Sequence, residues 1–282
     1  MRPPLQSPAQ TTEATAVLTG DSVSAPPPPL RSSAWVRWFS HLLLAPLFGL
    51  ATIAFGSVAL LASLVDATGR WQHRIARVWG SAVLRISLSP IRVIGAENLD
   101  KNQAAVYAVN HLSYMDTPVV FSKLPFQFRI LARHDLFRIP FIGWYLRRSG
   151  QIPVDSSHIR SSLSSLNRSV QVLKQGMPLV IFPEGGRSPN GRLQSFLSGV
   201  AFIAIRAQVP VVPMALVGTY ELMPMHTYHL RPHPLYLVVG KAISTTEYTT
   251  KTADTLTRRI HDEIASMYHQ YTEMLPQEAP LP

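Results

Sequence analysis

A chain of 282 residues has room for one large α/β domain and an accessory region. It carries 26 Lys and Arg against 16 Asp and Glu, a net charge of +10, and 21 of the 26 cations are Arg. The planar guanidinium fork favours phosphate and carboxylate, so an anionic partner is expected: nucleic acid, an anionic bilayer surface or a phosphorylated small substrate. Cysteine is absent, which excludes disulfides, thiolate metal sites and a cysteine nucleophile.

Residues 1–34 are rich in Pro, Ser, Thr and Ala, with a run at Pro26-Pro27-Pro28-Pro29, and read as a disordered, partly polyproline tail. From Trp38 to Val65 no side chain is charged. The core of that stretch, Leu42 to Val65, is 24 residues long, the length of one membrane-spanning helix. Pro46, Gly49 and Gly56 interrupt it, so a kinked or re-entrant hairpin is an alternative. Gly69 to Ser87 then sets Arg70, Arg74, Arg77 and Arg85 at helical spacing among Trp71, Ile75, Val78, Trp79, Ala82 and Val83. That is the pattern of an amphipathic helix in the headgroup layer. Only Arg2, Arg31 and Arg37 precede the apolar run, so the positive-inside rule places the C-terminal part of the chain on the cytoplasmic side of a cell membrane. Residues 35–88 therefore read as a membrane-associated helical unit.

Residues 89–275 alternate strand-like and helix-like pieces. Strands are expected at Ile91–Ile94, Ala104–Val109, Phe128–Leu131, Gln151–Val154, Leu179–Phe182, Val209–Val217 and Leu235–Val239. Ile159, Leu163, Leu166, Val170 and Leu173 stripe a helix closed by Gly176; Leu193 to Ala207 reads as a buried helix, and Leu256, Ile260, Ile264 and Met267 mark a C-terminal one. The order predicts a layered α/β domain with a mostly parallel or mixed sheet flanked by helices. Repeats, a P-loop and a dinucleotide glycine fingerprint are all missing from the sequence.

Three constellations carry chemistry. After the strand ending at Val109 comes Asn110-His111-Leu112-Ser113-Tyr114-Met115-Asp116. Ser113 is a good helix N-cap and Asp116 falls in the first helical turn, from which its carboxylate can fold back onto the imidazole. A His held at one ring nitrogen can take a proton from a hydroxyl with the other. Ser113-x-x-Asp116 also resembles a capping box, with His111 an ordinary loop residue. In the second constellation the strand Leu179-Val180-Ile181-Phe182 runs into Pro183-Glu184-Gly185-Gly186-Arg187-Ser188, a turn that offers backbone N–H groups and a guanidinium to an anion. The alternatives there are an ordinary turn and a structural Glu184–Arg187 ion pair. Between the two lies Arg133 to Gly150, where Arg and bulky apolar residues interleave as in a surface that meets lipid chains and phosphates together. From Arg129 to Arg206, ten Arg and Lys174 stand against Asp135, Asp155 and Glu184, an excess of +8. His226, His229 and His233 fall in a Pro-rich loop and read as surface histidines.

In this order, His111-x4-Asp116, then Phe182-Pro183-Glu184-Gly185-x-Arg187-Ser188 and Val209-Pro210-Val211-Val212-Pro213, the chain resembles the glycerolipid acyltransferases. The likeness is greatest to the bacterial 1-acylglycerol-3-phosphate acyltransferases. Arg133–Gly150, with Ile152-Pro153-Val154-Asp155 after it, is similar to the family's second motif. The resemblance runs from about residue 75 to 225. It implies His111 as general base and Asp116 as its orienting partner. It also implies that Arg187, Glu184, Gly185 and Gly186 hold a lysophospholipid phosphate, with Arg133, where the family often has Lys, and Arg148 as further contacts. Neither metal nor resident cofactor is implied. The co-substrate is an acyl thioester of coenzyme A or of acyl carrier protein, and the other partners are the lysophospholipid and the bilayer rather than nucleic acid. Three departures bear on the exact substrate: Gly186 replaces Thr, Ser156 replaces a basic residue after Asp155, and Leu197-Ser198 stand where the family tends to have Lys. A different lysolipid, such as a lyso-aminolipid, is the nearest alternative. A membrane-anchored nucleic-acid-binding protein and a His/Asp metal hydrolase are remote ones.

Overall fold

The computed structural model describes residues 33–100, 102–155, 159–227 and 229–275. The expected tail, apart from Ser33 and Ala34, lies outside the described residues, as does the Ser156 departure.

The apolar run forms α1 (Ala34–Phe39), a π-helical turn at Ser40–Leu44, and α2 (Ala45–Ala62), together one 29-residue rod. It is long and apolar enough to be a candidate membrane segment. Pro46, which cannot donate to the preceding turn, sits in the first turn of α2, and the wider π-turn directly precedes it. The rod does not stand away from the domain. It folds into a hairpin with α3 (Arg70–Ile86), where Trp79 Nε1 donates to Thr52 Oγ1 at 3.1 Å. Asp66 closes the turn by accepting the N–H groups of Thr68 and Trp71 at 2.8 and 2.7 Å.

α3 is amphipathic, as its Arg/Trp pattern predicts, and its inner face packs on the domain. It buries Gln72, His73, Ala76, Gly80, Val83 and Leu84 and makes the inner leg of the hairpin, leaving Trp71 and Val78 exposed. The reason is the small-residue stripe: a Cβ on Gly80 would lie 2.5 Å from the carbonyl oxygen of Pro118, so the helix seats directly on α4 (Asp116–Lys123).

The domain is a seven-stranded mixed sheet. Its strands are β1 (Ile91–Ile94), β2 (Val106–Val109), β3 (Arg129–Arg133), β4 (Ile152–Val154), β5 (Leu179–Ile181), β6 (Val211–Val217) and β7 (Leu235–Val239), in the order β1-β7-β6-β2-β5-β3-β4. β6, β2, β5, β3 and β4 are parallel; β7 runs antiparallel to β6 and parallel to β1. β2 is central and wholly buried. Its Val106 and Ala108 pack into the core on one face and Tyr107 and Val109 into the other, which is why it reads as an unbroken apolar run. One face is covered by α3 and α4 and the other by α6 (Ile159–Lys174), α7 (Gly199–Ala207) and α9 (Ala253–Glu273). α6 closes as expected at Gly176: the N–H groups of Gly176 and Met177 reach back to Leu173 and Val172 while Gly176 takes φ +84°.

Two helical expectations are corrected. The helix after His111 begins at Asp116, with Met115 rather than Ser113 in the N-cap position; the Ser113 hydroxyl instead accepts from Met115 N–H and donates to the Met223 carbonyl. The helix placed at Leu193 begins at Gly199, because the preceding segment is drawn across the Pro183–Gly185 turn, where Leu197 N–H donates to the Pro183 carbonyl at 2.8 Å. Two short helices, α5 (Ile142–Arg148) and α8 (Thr219–Leu222), carry no readable stripe in the sequence.

Candidate active site

The register sets the site. Val106 of β2 pairs with Leu179 of β5, so His111 and Glu184, each five residues further on, leave the carboxyl edge of the sheet at one level. Adjacent strands lie ~4.8 Å apart, close enough for the two segments to bond directly. His111 N–H donates to Glu184 Oε1 at 3.1 Å, and the His111 carbonyl accepts Ser188 N–H at 2.9 Å. The two motifs, more than 70 residues apart in sequence, form one hydrogen-bonded unit.

The imidazole is held on two sides. Nδ1 lies 2.8 Å from Asp116 Oδ2, and the ring stacks on Phe182 with centroids 4.0 Å apart. Asp116 is fully buried, and the same Oδ2 also accepts the N–H groups of Leu112 at 2.7 Å and Ser113 at 2.8 Å. The carboxylate half of the capping box therefore exists and holds the histidine as well. With Nδ1–H directed at Asp116, Nε2 keeps its lone pair free, and the side chain is 14% exposed. Asn110 extends the ladder behind it: its amide donates to Leu216 O at 2.9 Å and accepts Leu216 N–H at 2.7 Å, pinning the end of β2 to β6.

Glu184 and Arg187 are not an ion pair. Arg187 lies over Tyr114, its Cζ 3.9 Å from the ring centroid, and makes no ion pair among the described residues. Beside it, the N–H groups of Gly186 and Arg187 bond to no acceptor among the described residues. A guanidinium and two free N–H groups on a turn make an anion cradle. The Glu184 carboxyl faces His111 instead. Burial, with the charge of Asp116 adding to it, pushes its pKa up to about 8, only partly opposed by the His111 N–H bond. Gly185 needs its identity, since it has φ +73° and a Cβ there would come within 2.8 Å of Leu197. Gly186 does not, for nothing lies within 4 Å of a Cβ at that position. Gly186→Thr is accordingly expected to leave stability and turnover close to wild type. Gly185→Ala is expected to cost about 1–2 kcal/mol, read as a lower melting temperature.

The other two expected contacts, Arg133 and Arg148, make no bond to this unit among the described residues. Arg133, at the same sheet edge on β3, turns its guanidinium to Asp135, with Nη2 2.6 Å from Oδ2, and both are solvent-exposed. Arg148 lines an open groove between α2 and α5 with Leu60, Leu64 and Trp144. A looser pair, His134 Nδ1 and Asp155 Oδ1 at 3.8 Å, joins the ends of β3 and β4. Among the described residues no group of three His, Asp or Glu is placed to hold a metal ion. Phe182, Tyr114 and Asn110 escape a reading of the sequence. Tyr114 lies inside the His-x4-Asp spacing and Phe182 inside the second motif, but their ring contacts follow from the register.

Residues 90–217 match the acyltransferase family model. The chain is 32% identical over 277 residues to a 1-acyl-sn-glycerol-3-phosphate acyltransferase of Chlamydomonas reinhardtii, covering 92% of this chain and 78% of that protein. It is 38% identical over 159 residues to the chloroplastic 1-acyl-sn-glycerol-3-phosphate acyltransferase LPAT1 of Arabidopsis thaliana, a match to 55% of this chain and 43% of that longer protein. In fold it is similar to the crystal structure of the acyltransferase PlsC of Thermotoga maritima, with a TM-score of 0.73 at 23% identity over 87% of this chain and all of that one. On the relative that it matches over most of both lengths, the chain belongs to the 1-acylglycerol-3-phosphate acyltransferase family.

Proposed function

We propose that this protein moves a fatty acyl group from an acyl thioester to the sn-2 hydroxyl of 1-acylglycerol-3-phosphate, making phosphatidate for phospholipid synthesis. The observation that carries the reading is the bonding of the His111–Asp116 pair to the Glu184–Arg187 turn, which sets a base beside an anion cradle. The phosphate binds Arg187 and the N–H groups of Gly186 and Arg187, which presents the glycerol hydroxyl to His111. Nε2 takes the hydroxyl proton as oxygen attacks the thioester carbon, and Asp116 stabilises the imidazolium. The tetrahedral intermediate then expels the thiolate, which recovers that proton from Nε2–H and leaves as thiol. Atoms balance without an enzyme nucleophile. The Ser113 hydroxyl, within the motif, is already bonded to Met223 and Met115.

A partly open apolar cavity of about 230 Å³ supports an acyl-chain site. Its lining includes Thr117, the residue after Asp116, with Phe55, Trp79, Phe121, Phe141 and Tyr145. The exposed apolar face of α2 supports docking on a membrane, here the cytoplasmic face of the cell membrane, so that the acceptor is met in the bilayer. Either coenzyme A or acyl carrier protein can present the thioester.

A second reading, acylation of a lyso-aminolipid, draws on the open space at Gly186, which admits a larger headgroup. Crossing lysophosphatidate and lysolipids of other headgroups with both thioesters on purified protein decides between them. Highest kcat/KM for lysophosphatidate is expected, and preference for an aminolipid acceptor overturns the first reading.

Glu184 gives the reaction a pH limb. With its pKa at about 8, the carboxyl is neutral at pH 7 and ionises as pH rises through 8, placing a second negative charge beside Asp116 and the cradle. Wild-type kcat/KM for lysophosphatidate is expected to fall above about pH 8, and Glu184→Gln to lose that limb. Stability changes in the same direction. An unfolded chain gives up this proton near 4.5, so the fold loses stability between about 4.5 and 8, and Glu184→Gln flattens that part of a melting-temperature profile.

A further inference from the structure

A second group of basic side chains converges at the start of the apolar rod, away from His111. Arg37 of α1 and His41 of the π-turn meet His229 and Arg231 of the loop after α8. The loop histidines are not all at the surface as expected. His226 is exposed, but the His229 ring packs 5.8 Å from that of His41 and accepts a hydrogen bond from Arg231 Nε at 3.0 Å. The loop is fastened to the π-turn by Leu230 N–H, which donates to the buried Ser40 hydroxyl at 2.6 Å.

One carboxyl, Glu221, acts on this charge through Arg231. Arg37, His41 and Arg231 form no ion pair among the described residues. Glu221, the carboxyl that faces Arg231, is itself held above the usual range by burial. His229 is held below its usual value by burial and by the positive charges of Arg231, His41 and Arg37. Such a cluster, partly desolvated, favours an anion. Its level is marked by Trp35 and Trp38, 75% and 64% exposed on the same helix, because indoles gather where headgroups meet hydrocarbon.

We propose that Arg37, His41, His229 and Arg231 bind the phosphate of an anionic membrane phospholipid, at a site separate from the acceptor site at His111. This rests on the reading of the rod as membrane-associated. The bound headgroup also braces the loop, whose other end touches the catalytic motif through the Ser113–Met223 bond at 2.7 Å.

The test is binding of the full chain to phosphatidylcholine vesicles with and without phosphatidylglycerol, for wild type and the Arg37→Ala/Arg231→Ala double variant. Near-surface Arg residues contribute about fivefold each, so the double variant should lose about thirtyfold of the preference for anionic vesicles while binding neutral vesicles as before. Arg37→Ala alone changes an exposed side chain and keeps the result readable if the double variant misfolds; it should lose about fivefold. Inorganic phosphate and soluble glycerophosphoglycerol should not compete with the vesicles. An undiminished preference in the variants overturns the site, and displacement by inorganic phosphate shows a free-phosphate site and overturns the lipid assignment. None of these readouts needs acyl transfer, so failure of the proposed reaction would be seen separately.

Discussion

His111→Ala is expected to lower kcat for acyl transfer about a thousandfold or more while vesicle binding stays at the wild-type level. Removal of a positioned general base costs about 10²–10⁴ in rate, and the upper part of that range applies because the geometry is already set. Asp116 orients Nδ1, Phe182 stacks against the ring, and the residue's own N–H and carbonyl are both tied to the second motif. Alanine keeps those backbone bonds, so the loop stays in place and the loss falls on the proton transfer. Turnover near wild type in His111→Ala would remove the base from the mechanism.

Arg187→Ala acts on binding. Hydrogen bonds to a charged group contribute about 1.5–3 kcal/mol, so the KM for lysophosphatidate should rise about fiftyfold with kcat nearly unchanged, because the phosphate is held equally in ground and transition states. Arg187 has no carboxylate partner among the described residues, so its removal leaves no orphaned acid to destabilise the fold. Arg187→Lys keeps the charge but loses the fork and should fall between the two. An unchanged KM in Arg187→Ala would place the phosphate elsewhere.

The sheet was legible because its central strands β2, β5 and β6 are buried on both faces and read as apolar runs. β1 and β7 lie at the expected residues and the other five within two residues of them. Helices were legible where a stripe met a stop signal, as in α6 with Gly176, and not where tertiary contacts decided the path. α5 follows Phe141 in a left-handed backbone conformation at φ +68°, and its Gly143 packs on the Phe137 carbonyl, neither of which leaves a periodic trace. The same division holds at the site. His111 and Asp116 are close in sequence and their pairing could be read from spacing. Glu184 was expected on the substrate phosphate, but the β2–β5 register turns its carboxyl onto His111 N–H, a contact that no local pattern encodes. Arg133 stands at the end of β3 beside β5, as its motif implies, and its bond to Asp135, two residues on, is a local contact that the motif does not encode.

The central claim is direct transfer, with the substrate's hydroxyl as the nucleophile and His111 as its base. Rapid-quench measurement of thiol release from the acyl thioester, with and without lysophosphatidate, tests it most directly. Direct transfer predicts no burst of thiol until the acceptor is added, then release matched one for one by phosphatidate. A stoichiometric burst without acceptor, leaving an acylated protein, would contradict it.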